Sequence, residues 1–427
     1  MRQIMQSWGR VQRAECDVFD IANRYSKLPE INGTALPFGN GRSYGDSCLN
    51  PNGAALRTRN LNNFMGFDKE AGILKCEAGV QLADILKVIV PQGWFLPVTP
   101  GTRYVTLGGA IANDVHGKNH HRAGTLGCHV RRFELLRSDG SRRICSADEN
   151  PEWFAATIGG LGLTGLIVWA EIQLKRIAGP WMDVETKHFS TLEEFLALSA
   201  ASDQSHEYTV SWIDCSKNDG SGILMRGNHA AAQSDRHKER SISLPLTPPV
   251  SLVNQFTVDI FNRLYSAKSD GIQFQHYEKF FYPLDGVQSW NRIYGPSGFY
   301  QYQCVIPYVC GIAPVQEILN EMRKSGMYSF LSVLKSFGDK LSPGILSFPC
   351  VGYTLAIDFP NQGSQTLQFF ERIDAIVKAA GGKLYPAKDG RMPGTLFRES
   401  YPQWKKFSEF IDPKFSSGFW QRVMEGV

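Results

Sequence analysis

PVTPGTRYVTLGGAIANDVHGKNHH, residues 97–121, gathers glycine, threonine and small apolar residues around three histidines, with Asp114 its only carboxylate. Three readings suit such a run: a close wrap around an anionic ligand, a metal-binding loop, or a plain tight turn. Two further glycine-rich stretches, PFGNGRSYGD (37–46) and IGGLGLTG (158–165), lie in the same half of the chain, so the fold turns on what the three share. Glycine lacks a Cβ, which lets backbone N–H groups approach a pyrophosphate and form an anion-binding nest. Ser43, Thr102, Thr106 and Asn113 add hydroxyl and amide donors among them. One anionic cofactor wrapped by all three accounts for them together, whereas each taken alone is an ordinary turn.

The last stretch spaces Gly160, Gly162 and Gly165 as G-x-G-x-x-G, the pattern of a dinucleotide-binding turn. Such a turn follows a strand and opens a helix. Here the helical segment ENPEWFAAT (149–157) comes before and the β-branched run GLIVWAEIQL (165–174) comes after. The order is inverted, and a Rossmann fold is not expected.

Outward from these loops, residues 31 to about 178 alternate short β-type runs (AALRT, GILKCEAGV, FELLRSDGSRRI, GLIVWAEIQL) with helical pieces such as QLADILKVIV. From about 179 to 382 the runs become aromatic: EYTVSWIDC, KFFYPL, GFYQYQCVIP and VGYTLAIDFP read as strands. Two amphipathic helices, APVQEILNEMRKSG and SQTLQFFERIDAIVKAAGG, interleave with them, each stopping at glycine as a helix C-terminus does. The fold class is α+β, with an antiparallel sheet covered by helices in the second half. At 427 residues the chain exceeds one ordinary core, so two domains are expected.

Composition narrows the setting. The N-terminus breaks its apolar residues with Arg, Gln and Asp, unlike a secretory signal, and no run approaches the roughly 18 to 20 apolar residues of a membrane span. Nine cysteines without a C-x-x-C pair point to free thiols and a cytoplasmic setting. A formal charge of +4 gives no reason to expect nucleic acid. Basic residues do gather in SDRHKER (234–240), inside the polar, proline-bearing stretch 228–251. This stretch is expected to be mobile, and its basic core is suited to touch either an anionic membrane surface, as a peripheral contact at the inner membrane face, or a phosphate-bearing substrate.

Beyond composition, GRSYGD, PGTRYVTLGGAIANDVHGKNHH, GGLGLTG, YGPSGFYQYQCVIP, SFLSVLKSFG, LYPAKDGR and DPKFSSGFWQRV resemble, in order, the blocks of the decaprenylphosphoryl-ribose 2′-oxidase family. That family belongs to the vanillyl-alcohol-oxidase type of FAD flavoproteins. The resemblance runs from about residue 30 to the end of the chain. It implies a two-domain fold in which an FAD domain, 1–178 plus 383–427, flanks a substrate domain, 179–382.

The resemblance also implies site residues. Gly39, Asn40, Gly41, Arg42, Ser43, Tyr44 and Gly45 with Gly101, Thr106, Gly108 and Gly109 would hold FAD about its pyrophosphate and neighbouring groups. Asn113 and His116 would approach the isoalloxazine, with Ile167 and Tyr385 as further contacts. Many flavoproteins of this superfamily tether the flavin through a histidine in the first loop; Tyr44 stands there, so FAD is expected to be bound noncovalently. His116, His120 and His121 lack the further ligands that a zinc site needs, so no metal is expected.

For substrate, strand periodicity places Gln301 and Gln303 on one face of GFYQYQCVIP, and the family has pocket glutamines there. Trp212, Tyr282 and Lys335 match pocket positions as well. Thr354 and Ala356 replace the family's asparagine and cysteine, which leaves the sugar open and removes the sulfur that nitroaromatic inhibitors capture. Lys388 aligns with the family's essential lysine; it would stabilise an alkoxide as an ammonium or take the proton as an amine. Catalysis is thus expected from Lys388, His116, Gln301 and Gln303.

The implied reaction takes a hydride from C2 of a ribofuranosyl phosphopolyprenol and leaves a 2-keto sugar, which an NAD(P)H-dependent short-chain reductase would convert to arabinose. An FAD oxidase of a soluble aldonolactone or alditol is the alternative, and a noncatalytic flavoprotein is a third class.

Overall fold

The computed structural model describes residues 2–217, 219–231 and 242–427. SDRHKER lies outside the described residues, as does 232–241 of the stretch expected to be mobile. On either side of it, Gly222–Ala230 is a strand and Ile242–Ser243 pairs in parallel with Val287–Gln288.

Two sheets build the N-terminal half. Strands Arg2–Gln6, Arg13–Asp20, Ala54–Arg57 and Ala35–Phe38 form a four-stranded sheet in that order. A five-stranded antiparallel sheet runs Phe64–Asp68, Ile73–Glu77, Leu166–Gln173, Val130–Leu136, Arg142–Ser146. Its central strand comes straight out of the third glycine stretch, and helix Pro151–Thr157 precedes that stretch. The inverted order read from the sequence therefore holds.

An eight-stranded sheet dominates the rest, in the order Gly271–His276, Trp181–Phe189, Gly222–Ala230, Tyr208–Ile213, Ser332–Phe337, Gly352–Pro360, Phe299–Pro307, Lys383–Leu384. Side chains alternate across it. Tyr302, Cys304 and Ile306 with Leu355, Ile357 and Phe359 face a core shared with helices Leu192–Ser205, Ala313–Lys324 and Ser364–Ala379. Gln301, Gln303, Thr354, Ala356 and Asp358 necessarily occupy the other face.

One expectation fails here. KFFYPL is not a strand: Tyr277–Phe281 is a helix, followed by a 3-10 turn at Pro283–Gly286. The side chain of His276 accepts from the Glu278 N–H at that helix start, and Phe280, Phe281 and Tyr282 are all buried, so the run has no in-out alternation. Helices Leu192–Ser205 and Gln255–Ser266 also went unread. The first buries Ser199 and Ser202 alongside Leu192 and Phe195 and so shows no clean apolar stripe, and the second turns Phe256 and Leu264 outward while burying Val258.

After strand Lys383–Leu384 the chain returns to the N-terminal half. The Ala35 N–H donates to the Lys414 carbonyl at 2.6 Å, Gly418 to Leu49 at 2.7 Å and Tyr44 to Ala387 at 3.1 Å. The lysine-bearing loop is thereby fastened to the first glycine stretch. No helix among the described residues is long and apolar enough to cross a membrane.

Candidate active site

A cavity of about 510 Å³ runs from the glycine stretches to the face of the eight-stranded sheet that carries Gln301 and Gln303. Gly39, Asn40, Gly41, Arg42, Ser43, Tyr44, Gly101, Thr106, Gly108, Gly109, Asn113, His116, Ile167 and Tyr385 line one part of it, and Gln301, Gln303, Lys335, Ala356 and Lys388 line the other.

Four of the residues singled out in the sequence stand outside that lining. Gly45 backs it: a Cβ there would lie 1.7 Å from the Asp389 carbonyl oxygen, so glycine is what lets the two loops touch. Trp212 packs against Tyr265 and donates its Nε1–H to the Phe330 carbonyl at 3.2 Å. The Tyr282 hydroxyl shares a hydrogen bond of 2.7 Å with Thr99. Thr354 sits behind Gln303, accepting from its amide at 3.2 Å and donating to the Cys304 carbonyl at 2.9 Å. Conversely, Trp8, Tyr104, Asp285, Trp290 and Val333 line the cavity without having been read from the sequence. Val333 was findable, since it shares the alternation of Lys335; Trp8 and Trp290 carried no signal beyond being aromatic.

The cradle suits an anionic, elongated cofactor. A Cβ on Gly39 would meet the Thr106 hydroxyl oxygen at 2.4 Å, so the first and second stretches approach as only glycine allows. Arg42 Nε, Ser47 Oγ and His116 Nδ1 are buried without a partner in the protein, and all three residues line the cavity. Buried polar atoms are normally satisfied, so these orphans mark where a ligand completes the structure.

Sheet register builds the opposite wall. Gln301 is opposite Asp358, Gln303 opposite Ala356, Ala356 opposite Val333 and Thr354 opposite Lys335. Gln301 donates to Asp358 Oδ1 at 2.6 Å, while Asp358 Oδ2 is buried without a partner. Gln303 donates to His116 Nε2 at 2.9 Å, which puts the ring hydrogen of a neutral His116 on the unpartnered Nδ1. Burial, reinforced by Lys335, His120 and Lys388, holds this imidazole well below its usual pKa, so it is neutral.

Lys388 follows a turn in which its own N–H donates to the Tyr385 carbonyl at 3.0 Å, and its Nζ stands 3.9 Å from the centre of the Tyr44 ring. Tyr385 is fixed in turn by its hydroxyl, which donates to the Asn113 carbonyl at 2.7 Å. Burial lowers the Lys388 ammonium from 10.5 to about 7, against an opposing pull from Asp358 and with help from Lys335. Burial raises Asp358, opposed by the Gln301 hydrogen bond and by Lys388. Lys335 falls to about 8 through burial. A cation and a carboxylate that are each pushed toward neutrality, beside one cavity, form a proton-handling pair. Among the described residues, no group of three or more His, Cys, Asp or Glu is placed to hold a metal ion.

An FAD-binding domain family matches residues 20–146, which carry the first two glycine stretches. The decaprenylphosphoryl-β-D-ribose oxidase of Mycolicibacterium smegmatis is 34% identical, over 96% of this chain and 94% of its own. An uncharacterised protein of Streptomyces coelicolor is 30% identical over 81% of this chain and 100% of its own. The human Delta(24)-sterol reductase matches at 30% identity over only 27% of this chain and 22% of its own. Cradle, cavity and matches together define an FAD-dependent oxidoreductase of the α+β, two-domain vanillyl-alcohol-oxidase type. Within that class, the chain belongs to the decaprenylphosphoryl-β-D-ribose oxidase family.

Proposed function

We propose that this protein oxidises the 2-hydroxyl of a ribofuranosyl phosphopolyprenol to the 2-keto sugar, the first half of a ribose-to-arabinose epimerisation. The observation that carries the reading is Lys388, buried with a lowered pKa beside Asp358 and across from two glutamines of one strand face.

The glycine stretches and Tyr385 would hold FAD, which when bound supplies the acceptor for the hydride leaving C2. Gln301 and Gln303 orient the ribose through its hydroxyls. Lys388, as the free amine, receives the proton from the 2-hydroxyl, and Asp358 stabilises the ammonium so formed. His116, neutral and hydrogen-bonded to Gln303, offers its Nδ1–H as a donor at the cavity wall. Tyr44 in the first loop leaves FAD without a histidine to tether it, and acid precipitation should release the yellow colour to the supernatant.

The 2-keto product requires a hydride-donating reductase to complete the epimerisation, and an NAD(P)H-dependent short-chain enzyme is the partner this chemistry asks for. The same reading divides the chain into FAD-binding parts, 1–178 and 383–427, around a substrate part, 179–382. The hydrogen bonds from Ala35 to Lys414 and from Tyr44 to Ala387 support that division.

Anaerobic mixing with candidate substrates tests the assignment. The flavin should bleach with a polyprenyl-phosphate ribose and stay yellow with soluble aldonolactones or alditols. Bleaching by the lactones alone would transfer the protein to the soluble-sugar oxidases.

A further inference from the structure

Among the described residues, seven of the eighteen large apolar side chains that are exposed fall between 242 and 264. Ile242, Leu246, Val250 and Leu252 lie on a strap, and Phe256, Ile260 and Leu264 on the helix Gln255–Ser266 that follows it. Phe256 and Leu264 are 72% exposed and Ile260 44%, and their i, i+4, i+8 spacing puts them in one outward row. The opposite side of this helix buries Val258 and Asn262. A helix apolar on its outer face and held by its inner one is not what water selects, and clustered exposure of this kind marks an interaction surface.

The patch adjoins the cavity. The strap is pinned to 287–293 by Leu244 N–H to the Gln288 carbonyl at 3.1 Å, Leu252 N–H to the Ile293 carbonyl at 2.7 Å and Arg292 to the Leu244 carbonyl at 2.7 Å. Val287, Gln288 and Trp290 of the pinning segment, and Leu284 just before it, line the cavity. The segment 242–268 is net positive, with Arg263 and Lys268 against Asp259, the Lys268 Nζ stands 3.5 Å from the centre of the Tyr265 ring, and Arg292 adds its charge next to Arg10. Asp270, just beyond, is engaged by His188.

We propose that the strap and the outer face of helix Gln255–Ser266 seat this protein on an anionic lipid bilayer. Phe256, Ile260 and Leu264 enter the headgroup region and Arg263 and Lys268 meet its negative charge, so the cavity opens toward the lipid. The proposal deepens the lipid-linked substrate reading and rests on it for its purpose, since a polyprenyl tail then need not leave the membrane. A protein partner is the competing occupant, but an apolar row bordered by basic residues complements anionic lipid directly.

The test is co-sedimentation of the FAD-loaded full chain with vesicles of equimolar phosphatidylcholine and phosphatidylglycerol, without substrate. The parent should sediment. The triple variant Phe256→Ser, Ile260→Ser, Leu264→Ser should lose vesicle binding by about tenfold or more. Val309→Ser with Leu341→Ser, exposed at 91% and 84% outside this segment, should bind as the parent does. Arg263→Glu with Lys268→Glu should weaken binding to the mixed vesicles more than to phosphatidylcholine alone. A parent that stays in the supernatant, or a triple variant that binds undiminished, overturns the proposal. So does self-association abolished by the triple variant in a parent that ignores vesicles, because the face then belongs to protein. Flavin content and turnover of a detergent-dispersed short-chain substrate, read separately, should be unchanged in every variant. A wrong substrate assignment shows as absent turnover with vesicle binding intact.

Discussion

The two ends of the cavity are built by different means. Between residues 37 and 167 the wall comes from the three glycine stretches and the side chains between them, and the first two stretches meet closely enough to exclude a Cβ at Gly39. Between residues 299 and 388 it is made of side chains delivered by three adjacent strands and one loop, with Gln301, Gln303, Lys335, Ala356 and Lys388 facing inward. The first end has the form of a binding surface, and its titratable imidazole, His116, is held neutral by burial. The second holds groups whose charge burial has destabilised, which is where proton transfer is inexpensive.

Gly45 joins the two ends, and changing it should have the largest effect. With 1.7 Å between a Cβ and the Asp389 carbonyl, Gly45→Val must separate the first glycine stretch from the lysine loop. The purified variant is expected to carry little flavin and to show no measurable turnover. Full flavin content with parental turnover would mean that the loops are independent and that the contrast drawn between the two ends is artificial.

Asp358→Asn probes the reacting end alone and should leave flavin content unchanged. Asp358 holds the Lys388 pKa up, so its removal moves the rise in turnover that accompanies Lys388 deprotonation from about pH 7 to lower pH. The plateau should fall by roughly tenfold, because a weaker base takes the proton less readily. An unmoved pH profile, or one displaced upward, would separate Asp358 from Lys388.

Trp212→Phe should do least. Its indole donates to the Phe330 carbonyl and stays outside the cavity lining, so the loss is one hydrogen bond, about 1 kcal/mol of stability. The Michaelis constant should stay within about twofold, in line with the small effects of substitutions remote from a site. A large rise in it would return Trp212 to the substrate pocket.

Much of this was legible in advance for identifiable reasons. Glycine stretches survive in sequence as punctuation, and the inverted order around 158–165 excluded a Rossmann turn from local pattern alone. Strand alternation put Gln301 and Gln303 on one face, but only sheet register reveals that Asp358 and Ala356 stand opposite them. Asp358 was therefore invisible as a partner of Lys388: their proximity depends on two segments thirty residues apart. KFFYPL misled because three consecutive buried aromatics satisfy a strand and a helix equally well. Helix Gln255–Ser266 does carry a helical period, with Phe256, Ile260 and Leu264 set four apart, but that row faces outward and the helix buries Val258 and Asn262 instead.

Single-turnover flavin reduction by the Lys388→Ala variant tests the central claim most directly. Mixed anaerobically with a polyprenyl-phosphate ribose, the variant should keep its FAD and its fold yet bleach roughly 10²-fold or more slowly than the parent, the scale of losing a proton-transfer group. Bleaching at near the parental rate with flavin fully bound would contradict the account and leave Lys388 a buried cation with no part in the chemistry.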